Sequence, residues 1–105
     1  MAETLFRYHR SPNANEQLHP DALIAIKRDN NKLYFGYSLC NPVDQFSKEM
    51  ARKIALGRIE KDNGINIETA QILGRILDLP LPPEVQETAI RLALQVVKRY
   101  NKEKI

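Results

Sequence analysis

The residues of this chain that most readily support catalysis are two histidines and one cysteine, and their spacing predicts no reaction. His9 and His19 are ten residues apart, with no second pair of Cys or His nearby, which is far from a metal-ligand spacing. Cys40 lies close to a predicted helix N-terminus, where a thiol pKa can fall, yet a buried structural cysteine is the more common case. We also find no paired carboxylates and no Gly-rich phosphate loop after a strand. The sequence therefore predicts no catalytic residues, no metal site and no cofactor, and a protein that is not an enzyme.

Basic side chains on one predicted helix, residues 45–62, offer a second kind of chemistry. A helical projection places Arg52 and Arg58 between apolar side chains, whereas Lys53 shares a polar face with acidic residues. An arginine in such a setting offers a rigid fork to phosphate or carboxylate, and Lys48 adds a charge one turn earlier. Two interpretations of Arg58 stay open: a phosphate contact, or a structural role in which it snorkels or pairs with an acidic residue such as Glu84 or Glu87.

Polar residues cluster at the start of the same helix. Asn41 and Pro42 end the preceding strand, and Asp44 and Ser47 are both suited to cap a helix. Helix N-termini carry backbone amides without intrahelical partners and favour anions. We expect Asn41, Asp44 and Ser47 to contribute hydrogen bonds to a ligand, with simple capping as the alternative.

Aromatic side chains on the predicted strands are candidates for stacking against a base. Tyr8, Tyr34 and Tyr37 lie on strands of a chain that also carries basic residues, an arrangement that some nucleic-acid-binding modules use. The sequence lacks the patterns of the common RNA-binding modules, and core packing is the ordinary role of such rings. We retain Tyr8 and Tyr34 as candidate ligand contacts.

Length and composition indicate one small domain, residues 1–105, with a sheet in residues 1–40 and helices in residues 41–105. The 105 residues carry a net charge of +3, concentrated in two predicted helical stretches. There is one cysteine, no apolar run long enough to span a bilayer and no signal-peptide core, so we expect a cytoplasmic protein.

The order of the predicted elements indicates an α+β fold. Strands are predicted at residues 4–10, 22–28 and 32–40, with an exposed loop at 11–21 and a type I′ turn at Asn30 and Asn31. Gly36 indicates a bulge or, less commonly, a close approach of a backbone or a ligand. The basic helix is followed by a short helix to about residue 79, a Pro-rich connector at 79–83 and a long amphipathic C-terminal helix. We expect a three-stranded antiparallel sheet with these three helices on one face.

Residues 33–61 also resemble a known family. The chain has the pattern G-x-S-x-C, then N-P-x-D-x-F-S-K, then R-x-I-A-x-G-R, carried by Gly36, Cys40, Asn41, Pro42, Asp44, Phe46, Ser47, Lys48, Arg52, Ile54, Ala55, Gly57 and Arg58. This pattern is similar to small phage-encoded anti-defence proteins, in particular the first type of anti-Thoeris sponge proteins.

The resemblance implies a function as well as a fold. Members of that family have an N-terminal antiparallel sheet and C-terminal helices, form homo-oligomers and sequester cyclic ADP-ribose-type signals. Some also hold cyclic oligonucleotides, which makes them anti-CBASS proteins. If the chain is phage-encoded, its place is the host cytoplasm, and Arg52 and Arg58 are the expected phosphate contacts.

Two other functions fit the same residues. A nucleic-acid-binding protein would use the same positive helix, and its binding would weaken steeply with salt. A protein-binding inhibitor or assembly module would use the wide apolar stripe of the last helix. A pull-down that survives Arg58→Ala would favour this last function.

Overall fold

A computed structural model describes residues 2–12, 16–40 and 47–103 of the chain. Its elements, in order, are β1 (Ala2–Pro12), β2 (Leu18–Asp29), β3 (Lys32–Leu39), α1 (Lys48–Lys61), β4 (Ile65–Asn66), α2 (Thr69–Asp78) and α3 (Pro83–Glu103). The fold is α+β, as the sequence predicts, with a long last helix. The antiparallel sheet has four strands in the order β1-β2-β3-β4, one more than expected. No helix in the described part of the chain is both long and apolar enough to cross a membrane.

In the polar stretch predicted as a loop at 11–21, residues 11–12 and 18–21 form strand, and residues 13–15 lie outside the described residues. β1 continues to Pro12 and β2 begins at Leu18, with Ser11 paired to His19 and a register shift between His9 and Arg10. Proline is tolerated where a strand lies at the edge of a sheet. β1 is an edge strand, and the pairing of β2 with β3 begins only at Ala22, so this end of the hairpin is a two-stranded ribbon.

The turn between β2 and β3 is tight but not of the predicted type. Asp29 pairs with Lys32, which leaves the two asparagines as the loop. Asn30 has a φ of 56°, whereas Asn31 is not among the positive-φ residues. A positive φ at the first central position alone is the pattern of a type II′ turn rather than type I′.

Helices cover both faces of the sheet, so the prediction of a single covered face is wrong. On one face, Ile24 and Ile26 of β2 pack with buried residues of α2 and α3. On the other, Leu23 and Ala25 pack against α1. The reason is visible in β2, whose apolar run at residues 22–26 is buried without alternation, the pattern of a strand enclosed on both faces.

Gly36 lets α1 approach the sheet. A Cβ at this position would lie 2.1 Å from the carbonyl oxygen of Ala55 and 2.8 Å from Cγ1 of Ile59. The pairing of β2 with β3 continues through Gly36 without a shift, so the preferred prediction of a bulge is wrong. The less favoured one, a close approach of another backbone, describes the structure.

The end of α1 is joined to the rest of the fold by Asp62. This residue is the C-cap of α1, so the helix ends where the helix predicted at residues 45–62 does, and Gly64 follows with a φ of 76°. One carboxylate oxygen of Asp62 accepts the backbone N–H of Phe35 at 2.9 Å, and the other forms an ion pair with Arg75 of α2. α2 begins at Thr69, after residues 65–66 have paired with β3.

Candidate anion-binding site on the basic helix

The position of α1 on the sheet is set by a narrow stripe of small side chains. Ala51, Ala55 and Ile59 are its buried residues, and they contact Leu23 and Ala25 of β2. The helix begins after Ser47, whose hydroxyl accepts the backbone N–H of Met50 at 3.3 Å, so this residue acts as the N-cap. The predicted site residues Asn41 and Asp44 lie outside the described residues.

Arg52 and Arg58 flank this buried stripe on opposite sides. Arg52 lies over the ring of Phe6 in β1, with 4.9 Å from its guanidinium carbon to the ring centroid. Arg58 lies over the ring of Tyr37 in β3, at 4.1 Å. Phe6 packs with the buried cluster under α1 and Tyr37 with the cluster under α2 and α3, so the two arginines rest on rings at opposite faces of the sheet, on strands separated by β2. The structure does not bring these two predicted phosphate contacts together.

The contacts of Arg58 are structural. Its guanidinium donates a hydrogen bond of 2.6 Å to the backbone carbonyl of Tyr37. The ion pairs considered from the sequence are not formed, since Glu87 pairs with Arg91 and α3 lies on the other face of the sheet. Arg58 instead closes part of the outer edge of β3.

Arg52, in contrast, lines an open depression between α1 and β1. The depression has a volume of about 730 Å³, and its lining consists of Tyr8, Lys48, Glu49, Arg52, Lys53 and Leu56. Three of the predicted site residues therefore meet here: Lys48, Arg52 and Tyr8. Lys48 lies 5.3 Å from the centroid of the Tyr8 ring, and Arg10 lies 5.8 Å from the same centroid.

The cations of this depression have no carboxylate partner among the described residues, whereas four arginines elsewhere do, namely Arg28, Arg75, Arg91 and Arg99. The cations without such a partner here are Lys48, Arg52 and Lys53. Of the described residues that line the depression, Glu49 alone is acidic, so these side chains carry an excess of positive charge. Such a surface attracts anions.

Tyr34 lies elsewhere. Its ring packs against Gly64, where a Cβ would come within 2.7 Å of the ring, and Lys27 lies 5.6 Å from its centroid. Tyr34 does not line the depression. Of the two aromatic candidates from the sequence, only Tyr8 lies beside the basic side chains of α1.

Sequence reasoning missed two features of this site. It assigned Lys53 to an ordinary solvated face, and it did not foresee Phe6 as the surface on which Arg52 rests. The signal for the first was present: residues 48, 52 and 56 follow one another at the spacing of a helical turn, and 49 and 53 lie beside them. The second required knowing that β1 runs beside α1.

His9 and Asp21 form a separate polar cluster near the opposite face. Nδ1 of His9 lies 2.6 Å from Asp21, whose other oxygen accepts a 2.5 Å hydrogen bond from Ser11. The serine contacts the carboxylate and not the histidine, so the arrangement lacks the contact that activates a nucleophile. A search of the described residues finds no group of three or more potential metal ligands.

Comparisons with known proteins do not assign the chain to a group. No protein-family model matches it, and neither the curated proteins nor the solved structures yield a match.

Proposed function

We propose that this protein binds the phosphates of a nucleotide in the depression between α1 and β1, without transforming the ligand. The observation that carries this proposal is the convergence of Lys48, Arg52 and Lys53, none ion-paired within the described part of the chain, around one aromatic ring. A site built for an anion needs positive groups whose charge is not already neutralised.

The three cations would have different roles. Arg52 is held over Phe6, which fixes its guanidinium and leaves its outward N–H groups for a bidentate contact with phosphate. Lys48 and Lys53 supply point charges on flexible stems. A base would stack on Tyr8 only after Lys48 or Arg10 moves off the ring, since both lie within 6 Å of its centroid. The proposal therefore rests on phosphate recognition first and stacking second.

The ligand class follows from the resemblance of residues 33–61 to anti-Thoeris sponge proteins. We propose a cyclic nucleotide or ADP-ribose-type immune signal, held by a phage-encoded anti-defence protein in the host cytoplasm. This assignment modifies the expected site in one respect: Arg52 belongs to it, whereas Arg58 is engaged with Tyr37.

Calorimetric titration tests the proposal directly. The purified chain is titrated with cyclic ADP-ribose isomers and with cyclic di- and trinucleotides, and native mass spectrometry after incubation with a nucleotide extract looks for retained ligands. We expect binding of at least one such compound with micromolar or better affinity. No heat from any of them at millimolar ligand, together with no retained nucleotide, would contradict the proposal.

A second candidate function is binding of single-stranded nucleic acid on the same surface. The observation in its favour is that the depression is open, so an extended chain could pass along it. Binding to an oligonucleotide would weaken steeply between 50 and 200 mM salt, by about 10-fold or more for several phosphate contacts. A small ligand with one or two phosphates would show a much shallower dependence.

The third function considered from the sequence, a protein contact through the last helix, has lost its main support. The stripe of α3 that suggested it is buried inside this chain, at Val85, Ala89, Leu92, Ala93 and Val96. Leu94 remains 43% exposed as a single side chain.

A further inference from the structure

The outer edges of β3 and β1 differ in whether their backbone groups have partners. Where β4 does not pair with it, the outer edge of β3 is covered by side chains. Asp62 accepts a hydrogen bond from the N–H of Phe35, and Arg58 donates one to the carbonyl of Tyr37. β1 is the other edge, and in the described ranges no strand lies beside it. An exposed edge strand is a template for pairing with another chain, and proteins usually block or cover such edges.

β1 is a long and well-anchored edge. It has eleven residues, and its pairing with β2 is regular from Ala2 to His9. Helix α3 holds one side of it, through a 2.6 Å hydrogen bond from Arg7 to Gln95 and a 2.9 Å ion pair of Glu3 with Arg99. Arg52 of α1 holds the other side over Phe6. The strand therefore presents its backbone in a fixed, extended form.

We propose that a second copy of this chain adds to β1 in antiparallel orientation, with Phe6 opposite Phe6 at a twofold axis, to form one continuous sheet. A twofold axis perpendicular to the sheet pairs each residue of β1 with a residue of the second copy whose side chain lies on the same face. The two residue numbers of every pair therefore add up to an even number. The register centred on Phe6 places Glu3 opposite His9, Thr4 opposite Tyr8 and Leu5 opposite Arg7. No like charges face each other, and the central pair is aromatic, which favours strand pairing.

A register centred one residue further along β1, on Arg7, would pair more residues but is disfavoured by charge. Centring the pair on Arg7 would set two guanidiniums directly across from each other, and like charges in that position are destabilising. Shifting the axis instead to Leu5 pairs residues 2–8 and leaves Phe6 opposite Thr4. The register on Phe6 uses the regular part of β1 and pairs two aromatic side chains across the axis.

This inference does not depend on nucleotide binding. Sedimentation equilibrium of the unmodified chain without ligand therefore tests it separately from the proposed function. We expect a species of twice the mass of the chain at about 100 µM, a concentration well above the dissociation constant of an ordinary specific interface. A monomer at that concentration overturns the inference.

Disulfide trapping tests the register. In a Cys40→Ser background, Phe6→Cys places two thiols across the axis, whereas the matched control Thr4→Cys keeps its two thiols about 13 Å apart along the strands. We expect mild oxidation to convert Phe6→Cys to a covalent dimer and to leave Thr4→Cys monomeric on denaturing gels. A dimer in which both variants cross-link equally, or neither does, overturns the inference by showing a different interface. If Phe6→Cys fails to fold, the mass of the unmodified chain still decides between a monomer and a dimer. Leu5→Cys then tests the register centred on Leu5, because this variant forms no cross-link when the axis lies at Phe6.

Discussion

At the scale of single residues, the two arginines of α1 show how the same side chain takes two roles. Each lies over an aromatic ring, but only Arg58 also donates to a backbone carbonyl. That carbonyl lies on the outer edge of β3, beyond the two residues that pair with β4, where an unpaired group is a liability. Arg52 donates no hydrogen bond to another described residue, which is why we propose it, and not Arg58, as the ligand contact.

This difference predicts unequal losses of stability for two matched substitutions. Arg58→Ala should lower the free energy of unfolding by about 1 kcal/mol, because a charge-assisted hydrogen bond and a cation–π contact are lost at an exposed position. Arg52→Ala loses only its ring contact and should cost about half as much. Urea unfolding of both variants measures this, and equal losses would show that Arg58 has no special structural role.

At the scale of elements, Gly36 fixes the distance between α1 and the sheet. Gly36→Ala would place a methyl group against the backbone of Ala55, which cannot yield unless the whole helix shifts. We expect a loss of about 3 kcal/mol or more in the free energy of unfolding, as for other overpacked sites.

Gly57 provides the matched control on the helix that Gly36 faces. A Cβ there meets no atom within 4 Å, and alanine is the better helix former by about 0.8 kcal/mol. Gly57→Ala should therefore raise the urea midpoint whereas Gly36→Ala lowers it. A neutral result for Gly36→Ala would mean that α1 does not lie as close to β3 as described.

Asp62 joins three elements through one carboxylate. Its side chain is 3% exposed and holds both Arg75 and the N–H of Phe35. Asp62→Ala leaves that N–H and a partly buried guanidinium without their partner, which should cost about 3 kcal/mol. Glu60→Ala, on the exposed side of the same helix, is the control and should change the unfolding free energy by less than about 0.5 kcal/mol.

The C-terminal end of α3 predicts a small pH effect. The hydrogen bond from Arg28, at 2.5 Å, lowers the pKa of Glu103 below its ordinary value of 4.5. A carboxyl whose pKa is lower in the folded state stabilises the fold above its unfolded pKa, and this contribution is lost as the pH falls through the folded pKa. Glu103→Gln should thus lower the thermal midpoint slightly at pH 7, and the gap to the unmodified chain should narrow as the pH falls below about 4.5, through the lowered pKa of the folded state. A gap that does not narrow on acidification would show that the pair does not titrate as described.

At the scale of the whole molecule, the sheet lies between α1 on one side and α2 with α3 on the other. The sequence was enough to predict the α+β class, the β2–β3 hairpin and the order of the helices, because periodicity and turn residues are local signals. It was not enough to place α1 on its own face. That placement depends on the fit of Ala55 and Ile59 over Gly36, a contact between residues far apart in the chain.

The same limit applies to the candidate site. The helical projection singled out Arg52 and Arg58 together, since both lie at the border of the apolar stripe. It could not show that one border faces β1 and Tyr8, whereas the other faces the edge of β3. Lys53 was assigned to a solvated face for a similar reason, because the helical period does not show which strand lies beside a charged face. The candidate site forms where side chains of α1 reach over Phe6 and Tyr8 of β1.

The most direct test of the account compares Arg52→Ala with Arg58→Ala in nucleotide binding. Both substitutions remove one guanidinium from α1, so they change the net charge of the helix equally. With a compound that the unmodified protein binds in calorimetry, Arg52→Ala should weaken the affinity by about 10-fold or more, as loss of a charge-assisted bidentate contact requires. Arg58→Ala should leave the affinity within about twofold. Equal loss in both variants, or loss in Arg58→Ala alone, would contradict the assignment of the site to the depression between α1 and β1.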